Sequence, residues 1–150
     1  MLGNRGPIWT EFFDPDCPFC HILFQELYPL VKKGEIRLRM VPVAVIDAQS
    51  LPRDISLLDH GPVAARLLSA EKGFTDGHMP LPLANPQNHP KLADAVVRDT
   101  GILEIIDPSK LLPCLVFTNT QQTVTAKLEG VPNHAVLLRA LRFSGAMQKP

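Results

Sequence analysis

The stretch EFFDPDCPFCHILF, residues 11–24, decides how this chain is read. Cys17 and Cys20 are separated by two residues, and His21 follows at once. The pentapeptide CPFCH fits two chemistries. A C-x-x-C that opens a helix behind a strand is a redox dithiol, whereas C-x-x-C-H is the attachment site of a c-type haem. The residues around it discriminate between the two.

Upstream, PIWTEFF is rich in aromatic and β-branched residues and reads as a buried strand. Asp14 to Asp16 turn the chain. From Pro18 to about Lys33, the residues Phe19, Leu23, Phe24, Leu27, Leu30 and Val31 recur at helical spacing. Gly34 stops that helix, the two lysines before it suit the helix dipole, and Pro29 is expected to kink it. EIRLRMVPVAVI reads as a central strand with a bulge or break at Pro42. PVAARLLSAEKG is a helix started by Pro62 and ended by Gly73. MPLPLANPQNHP, residues 79–90, is a long irregular loop, and PKLADAVVRDTG is a short helix ended by Gly101. PCLVFTN and TVTAKLEG are strands joined by a turn over residues 119–122, and PNHAVLLRALRF is a C-terminal amphipathic helix.

The order is strand, helix, strand, helical insert (about residues 51–104), strand, strand, helix. That order predicts an α/β thioredoxin-like fold: a central mixed β-sheet flanked by helices, with a helical insert, over a single domain 1–150. The chain's 150 residues suffice for one sizeable core. Fifteen basic and fifteen acidic residues cancel, so no net field draws nucleic acid or an anionic membrane. No apolar run is long enough to insert in a bilayer. Three cysteines make no even disulfide framework. No apolar leader precedes the first strand, so the expectation is either a cytosolic chain or one whose leader has been removed.

In the dithiol reading, Cys17 occupies the N-cap and Pro18 the first helical position. The exposed backbone N–H groups of a helix N-terminus favour a thiolate there, so Cys17 is expected to be exposed and acidified. Cys20, one turn on, is expected on the shielded side. The outer sulfur then attacks a client and the inner one resolves the mixed disulfide. Pro18-Phe19 brings no cation, and Asp14 and Asp16 oppose a thiolate, so the fall in the Cys17 pKa should be moderate.

A haem would need a second axial ligand, for which Met79 is the candidate, and an apolar pocket. A strand running into the motif, the acid Glu11 within it and a C-terminal hairpin all count against a mostly helical cytochrome. A zinc site built from Cys17, Cys20 and His21 lacks a second ligand pair at similar spacing. The reading therefore expects no cofactor and no metal. His21 is expected on the helix surface, with scope to modulate the thiolate. Cys114 is expected to be a buried, inert thiol.

FFDPDCPFC, the proline-bearing helix after it, GEIRLRMVPVAVI, and LEGVPNHAVLLRAL near the end together resemble the bacterial periplasmic Dsb-type thiol–disulfide isomerases, C and G branches. The resemblance spans residues 7–141. It implies a cis-proline facing the dithiol, which falls on Pro113, with the preceding Leu112 offering backbone to a bound peptide. Threonine is frequent before that proline in the isomerases, and Leu112 stands there here. Glu11 is a second departure, because the isomerases tend to be apolar at that point. Strand alternation with Trp9 and Phe13 favours its burial, which would raise its pKa and let it exchange a proton with Cys20.

The site expected is thus Cys17, Cys20, Glu11 and Pro113 for chemistry, with Leu112, Pro113 and Phe19 for substrate. The resemblance implies a periplasmic thiol–disulfide oxidoreductase of the isomerase/reductase type. Its partners would be exported proteins with disulfides or oxidised cysteines, and a membrane redox partner. The N-terminal dimerisation domain of those isomerases has no counterpart in this sequence. The chain is therefore expected to be monomeric, or dimeric if such a domain was removed. A haem electron carrier and a redox-inactive thioredoxin-like binding module are the competing readings.

Overall fold

Alternation along Ile8–Phe13 builds the centre of the molecule. In this strand, β1, the side chains of Trp9, Glu11 and Phe13 point to one face and are fully buried there. The computed structural model describes residues 1–146, so the last four positions of the expected 1–150 domain lie outside the described residues. β1 runs parallel to β2 (Arg37–Pro42) and antiparallel to β3 (Cys114–Thr118). β3 runs antiparallel to β4 (Thr125–Glu129), which gives one mixed sheet in the order β2-β1-β3-β4. The parallel β1–β2 pair requires a crossover, and α1 (Pro18–Lys33) supplies it.

α1 buries Cys20, Leu23, Phe24, Leu27 and Val31, a stripe at helical spacing, against the Trp9–Phe13 face. It ends as its sequence predicts. Gly34 adopts φ +71° and the last turn carries Lys32 and Lys33. α5 (His134–Phe143) packs Leu137, Ala140 and Leu141 into the same core, and its N-cap Asn133 accepts the N–H of Val136 at 3.0 Å. Trp9 stacks on Phe117 at 4.7 Å, and its indole N–H donates to the Ser144 hydroxyl at 3.0 Å, so the largest core side chain buries no orphan donor.

The other sheet face is covered near one end by α4 (Pro90–Ile106). There Leu103 meets Phe12, Val43 and Cys114. α2 (Ser50–Leu58) and α3 (Val63–Lys72) precede α4 in the connection from β2 to β3.

α1 runs on through Pro29 to Lys33, and β2 ends at Pro42, the break its sequence allowed, because the proline has no N–H to extend the ladder. Three local expectations change. β2 lies at the edge of the sheet and not in its centre. α4 runs past Gly101 to Ile106, since Leu103 and Ile106 still have the sheet to pack against and Gly101 does not take a left-handed conformation. α2 was not expected at all, because Pro52 and the short spacing hid it. Its buried side includes Ile55 and Leu57.

Candidate active site

The dithiol stands where β1 hands over to α1. Cys17 is the N-cap in an extended conformation, Pro18 follows, and the Cys17 sulfur accepts the N–H of Cys20 at 3.2 Å. The turn before it is fastened by Asp14. One oxygen of this fully buried carboxylate accepts the Asp16 N–H at 2.9 Å. The other accepts the N–H groups of Val45 and Ile46 at 2.8 and 2.9 Å. Asp14 thereby ties the chain leaving β2 to the active-site turn. A second tie comes from α2, where Arg53 pairs with Asp16 and Ser50 donates to the same carboxylate at 3.4 Å. Asp54 sits beside this pair with both oxygens unpartnered among the described residues, and burial, then Asp14 and Asp16, holds its carboxyl protonated well above the usual range. Asp14→Ala leaves three backbone N–H groups without their acceptor. It is expected to lower stability by about 3–5 kcal/mol in urea unfolding.

Cys17 is not exposed as expected. Its residue is 3 % accessible. The segment after α3 returns over the turn, where the Met79 N–H donates to the Pro15 carbonyl at 2.8 Å, and Met79 packs in the same core cluster as both cysteines. Its acidity follows expectation. Hydrogen bonds from the Cys20 thiol, and from the N–H groups of Cys20 and Phe19, lower its pKa, while burial and the charge of Asp14 oppose them. Cys20 is buried, and desolvation followed by its hydrogen bond to Cys17 keeps it protonated. The pair is therefore asymmetric in the sense that disulfide exchange requires.

Glu11 lies in mid-sheet between Met40 and Leu115, fully buried, and neither carboxylate oxygen meets a partner among the described residues. Burial, then the charges of Glu71 and Cys17, raises its pKa well above 4.5. Its charge also acts on Cys20. Antiparallel pairing of Phe12 with Cys114 places Pro113 level with the end of β1, where the turn to the dithiol begins. Pro113 is buried behind a cis Leu112–Pro113 bond, and Leu112 is half-buried. Phe19 is 62 % exposed beside the dithiol.

Cys114 shares the opposite sheet face with Phe12 and Leu103, and burial followed by Asp107 raises its pKa to about 11. His21 is not a free surface histidine. Its Nδ1 lies 2.6 Å from Glu71 of α3, and its ring stacks on Phe74 at 4.3 Å. Glu71 and Arg53 were not singled out from the sequence, and Asp14 only as a turn residue that opposes a thiolate. Each acts across 30 or more residues, and no local spacing marks them.

The haem alternative called for a mostly helical fold and an available Met79. The chain has a mixed sheet, and Met79 is packed in the core. No helix among the described residues is long and apolar enough to cross a membrane.

A four-stranded mixed sheet with flanking helices, a C-x-x-C at the first helix N-terminus and a cis-proline at the adjoining strand make up a thioredoxin-like α/β fold. DsbA2 of Pseudomonas aeruginosa superimposes with a TM-score of 0.73 at 17% identity, covering 99% of this chain and 95% of that one. A periplasmic thioredoxin-like protein from Salmonella enterica serovar Typhimurium gives 0.66 at 14% identity, covering 95% and 86%. The thiol-disulfide exchange protein alpha-DsbA2 from Wolbachia pipientis gives 0.59 at 14% identity, covering 94% and 84%. No family model matches the chain, and no curated protein matches its sequence.

Proposed function

We propose that this protein is a thiol–disulfide oxidoreductase of the isomerase/reductase type, acting on exported proteins through Cys17 and Cys20. The observation that carries the proposal is the asymmetric dithiol at the start of α1, with an acidified Cys17, a protonated Cys20 and a buried Glu11 that has no hydrogen-bond partner among the described residues. The thiol-disulfide exchange named for one structural neighbour, and the periplasmic location named for another, agree with it.

In the reaction, the Cys17 thiolate attacks a client disulfide and forms a mixed disulfide. The Cys20 sulfur then attacks Cys17, the client sulfur leaves, and the Cys20 proton passes to Glu11. Phe19, Leu112 and Pro113 form the surface that a client peptide meets. The Asp14 charge and burial oppose the Cys17 thiolate and so limit the fall in its pKa, which supports the reducing side of the range. A reduction potential nearer thioredoxin's, about −270 mV, than an oxidase's, about −120 mV, is the corresponding expectation. Recharging by a membrane redox partner, and a monomeric state, complete the proposal.

Competitive alkylation of the reduced protein by iodoacetamide, read by mass spectrometry, tests the assignment of the attacking thiol. Cys17 is expected to label first near neutral pH, because its thiolate population exceeds those of Cys20 and Cys114. Its burial should make it slower than an exposed thiol of equal acidity. Labelling of Cys20 or Cys114 ahead of Cys17 overturns the assignment.

A further inference from the structure

Glu71 is the buried acid that the exchange reaction leaves unused. It sits on the last turn of α3, one oxygen 2.6 Å from His21 Nδ1 and the other without a partner among the described residues. Phe74 holds the imidazole flat at 4.3 Å, so the contact is fixed in place. On the far side, His21 and Glu71 line a groove of ≈ 510 Å³ between α1 and α3, along with Phe24, Tyr28, Leu68 and Lys72. The groove opens the pair to solvent, and the His21 backbone N–H donates to the Cys17 carbonyl at 3.2 Å, which sets the pair next to the dithiol. The His21 side chain is 18 % accessible and that of Glu71 3 %.

We propose that the Glu71–His21 pair is a redox-linked proton site: it takes up a proton when the Cys17–Cys20 disulfide is reduced, and returns it to the groove when the disulfide reforms. This rests on the oxidoreductase reading above and adds to it a second acid, distinct from Glu11.

The step balances as follows. The Cys17–Cys20 bond accepts two electrons from a small-molecule or protein dithiol, which is itself oxidised to a disulfide. One of that dithiol's two protons goes to the Cys20 sulfur. Cys17 is left as a thiolate, and the second proton goes to the Glu71 carboxylate, by way of His21 and the groove. The physical cause is charge. Both a thiolate at Cys17 and a carboxylate at Glu71 are disfavoured when they coexist in a buried site, so creation of one draws a proton to the other. Burial, then the Cys17 charge, raises Glu71 to about 8, which brings its titration into the working range. The charged and titratable groups facing Glu71 are Glu11 on β1, Cys17 and His21 on α1, and Lys32 and Lys72 at the groove. Burial lowers the pKa of His21, so the proton taken up on reduction rests on Glu71 and not on the imidazole.

The test is the equilibrium of the purified full chain with dithiothreitol as a function of pH. Dithiothreitol releases two protons as it is oxidised. If Cys20 and Glu71 take up both, the equilibrium constant changes little across the pH window in which Glu71 is ionised opposite the disulfide but protonated opposite the Cys17 thiolate, a window that ends at about 8. In Glu71→Gln only Cys20 takes one up, so the constant should rise with pH by up to about tenfold per unit once Cys17 is ionised. His21→Phe keeps a ring to stack on Phe74 but removes Nδ1. Glu71 then stays protonated to higher pH, and the inflection should move upward. A purely structural role for the pair shifts stability but neither slope nor inflection. Equal slopes in wild type and Glu71→Gln overturn the inference alone, and so does an unmoved inflection in His21→Phe should the first variant fail to fold. A chain that reaches no equilibrium with dithiothreitol overturns the oxidoreductase reading and this inference with it.

Discussion

Cys17→Ser is expected to abolish disulfide exchange, lowering insulin reduction by roughly a thousandfold or more. A serine hydroxyl forms no disulfide, so the remaining thiols would have to substitute. Cys20 is buried and held protonated. Cys114, with a pKa of about 11, has a thiolate fraction on the order of 10⁻⁴ at pH 7, and it lies on the other face of the sheet from the dithiol. Cys20→Ser should behave differently. It keeps the attacking thiol and loses the resolving one, so mixed disulfides with clients accumulate and are visible on a non-reducing gel as adducts released by reductant. Full turnover in either variant is incompatible with the two roles assigned here.

The division between what the sequence made legible and what it hid follows the range of the interactions. The β1–α1 boundary, the proline at the first helical position and the Gly34 stop are local, and each was readable from a few neighbouring residues. Burial of Glu11 was readable from alternation with Trp9 and Phe13. The position of Pro113 came from a resemblance, since nothing in KLLPCLVF alone separates a cis from a trans bond. The covering of Cys17 was not legible, because it depends on the segment around Met79 returning over residues 14–16. For the same reason Asp14 read only as a turn residue that weakens a thiolate. Its main contacts are to Val45 and Ile46, 31 and 32 residues away. His21 read as a surface residue because its partner, Glu71, lies 50 residues on, in a helix whose own pattern is unremarkable. The chemistry-bearing motif was therefore written locally, whereas much of the charge around it, Arg53, Asp54 and Glu71, was brought in by the helical insert.

That environment has a consequence for stability. The wild-type protein is expected to lose on the order of a few kcal/mol between pH 5 and pH 8, with Glu11, Asp54 and Glu71 the main contributors. All three carboxyls are raised in the folded protein above their ordinary values, Glu71 to about 8, Glu11 well above 4.5 and Asp54 well above 3.8, in each case chiefly by burial. A carboxyl whose folded pKa exceeds its unfolded pKa binds its proton more tightly when folded. Its contribution is therefore fully present below about 4.5 and is lost as pH rises through the folded value, because the folded state must then either hold a buried anion or keep a proton that the unfolded chain releases. The 2.6 Å contact with His21 lessens the loss at Glu71 by giving the anion a partner. Glu11 has no such partner among the described residues and bears its loss in full. Glu11→Gln keeps the size of the side chain and removes the ionisation. Urea unfolding of wild type and Glu11→Gln across pH 4–9 reads the difference directly. The variant should gain on wild type steadily above pH 4.5 and show a shallower fall toward pH 8. Parallel curves would mean that Glu11 ionises in the folded protein as freely as in water, and with that its capacity to hold the Cys20 proton would be lost as well.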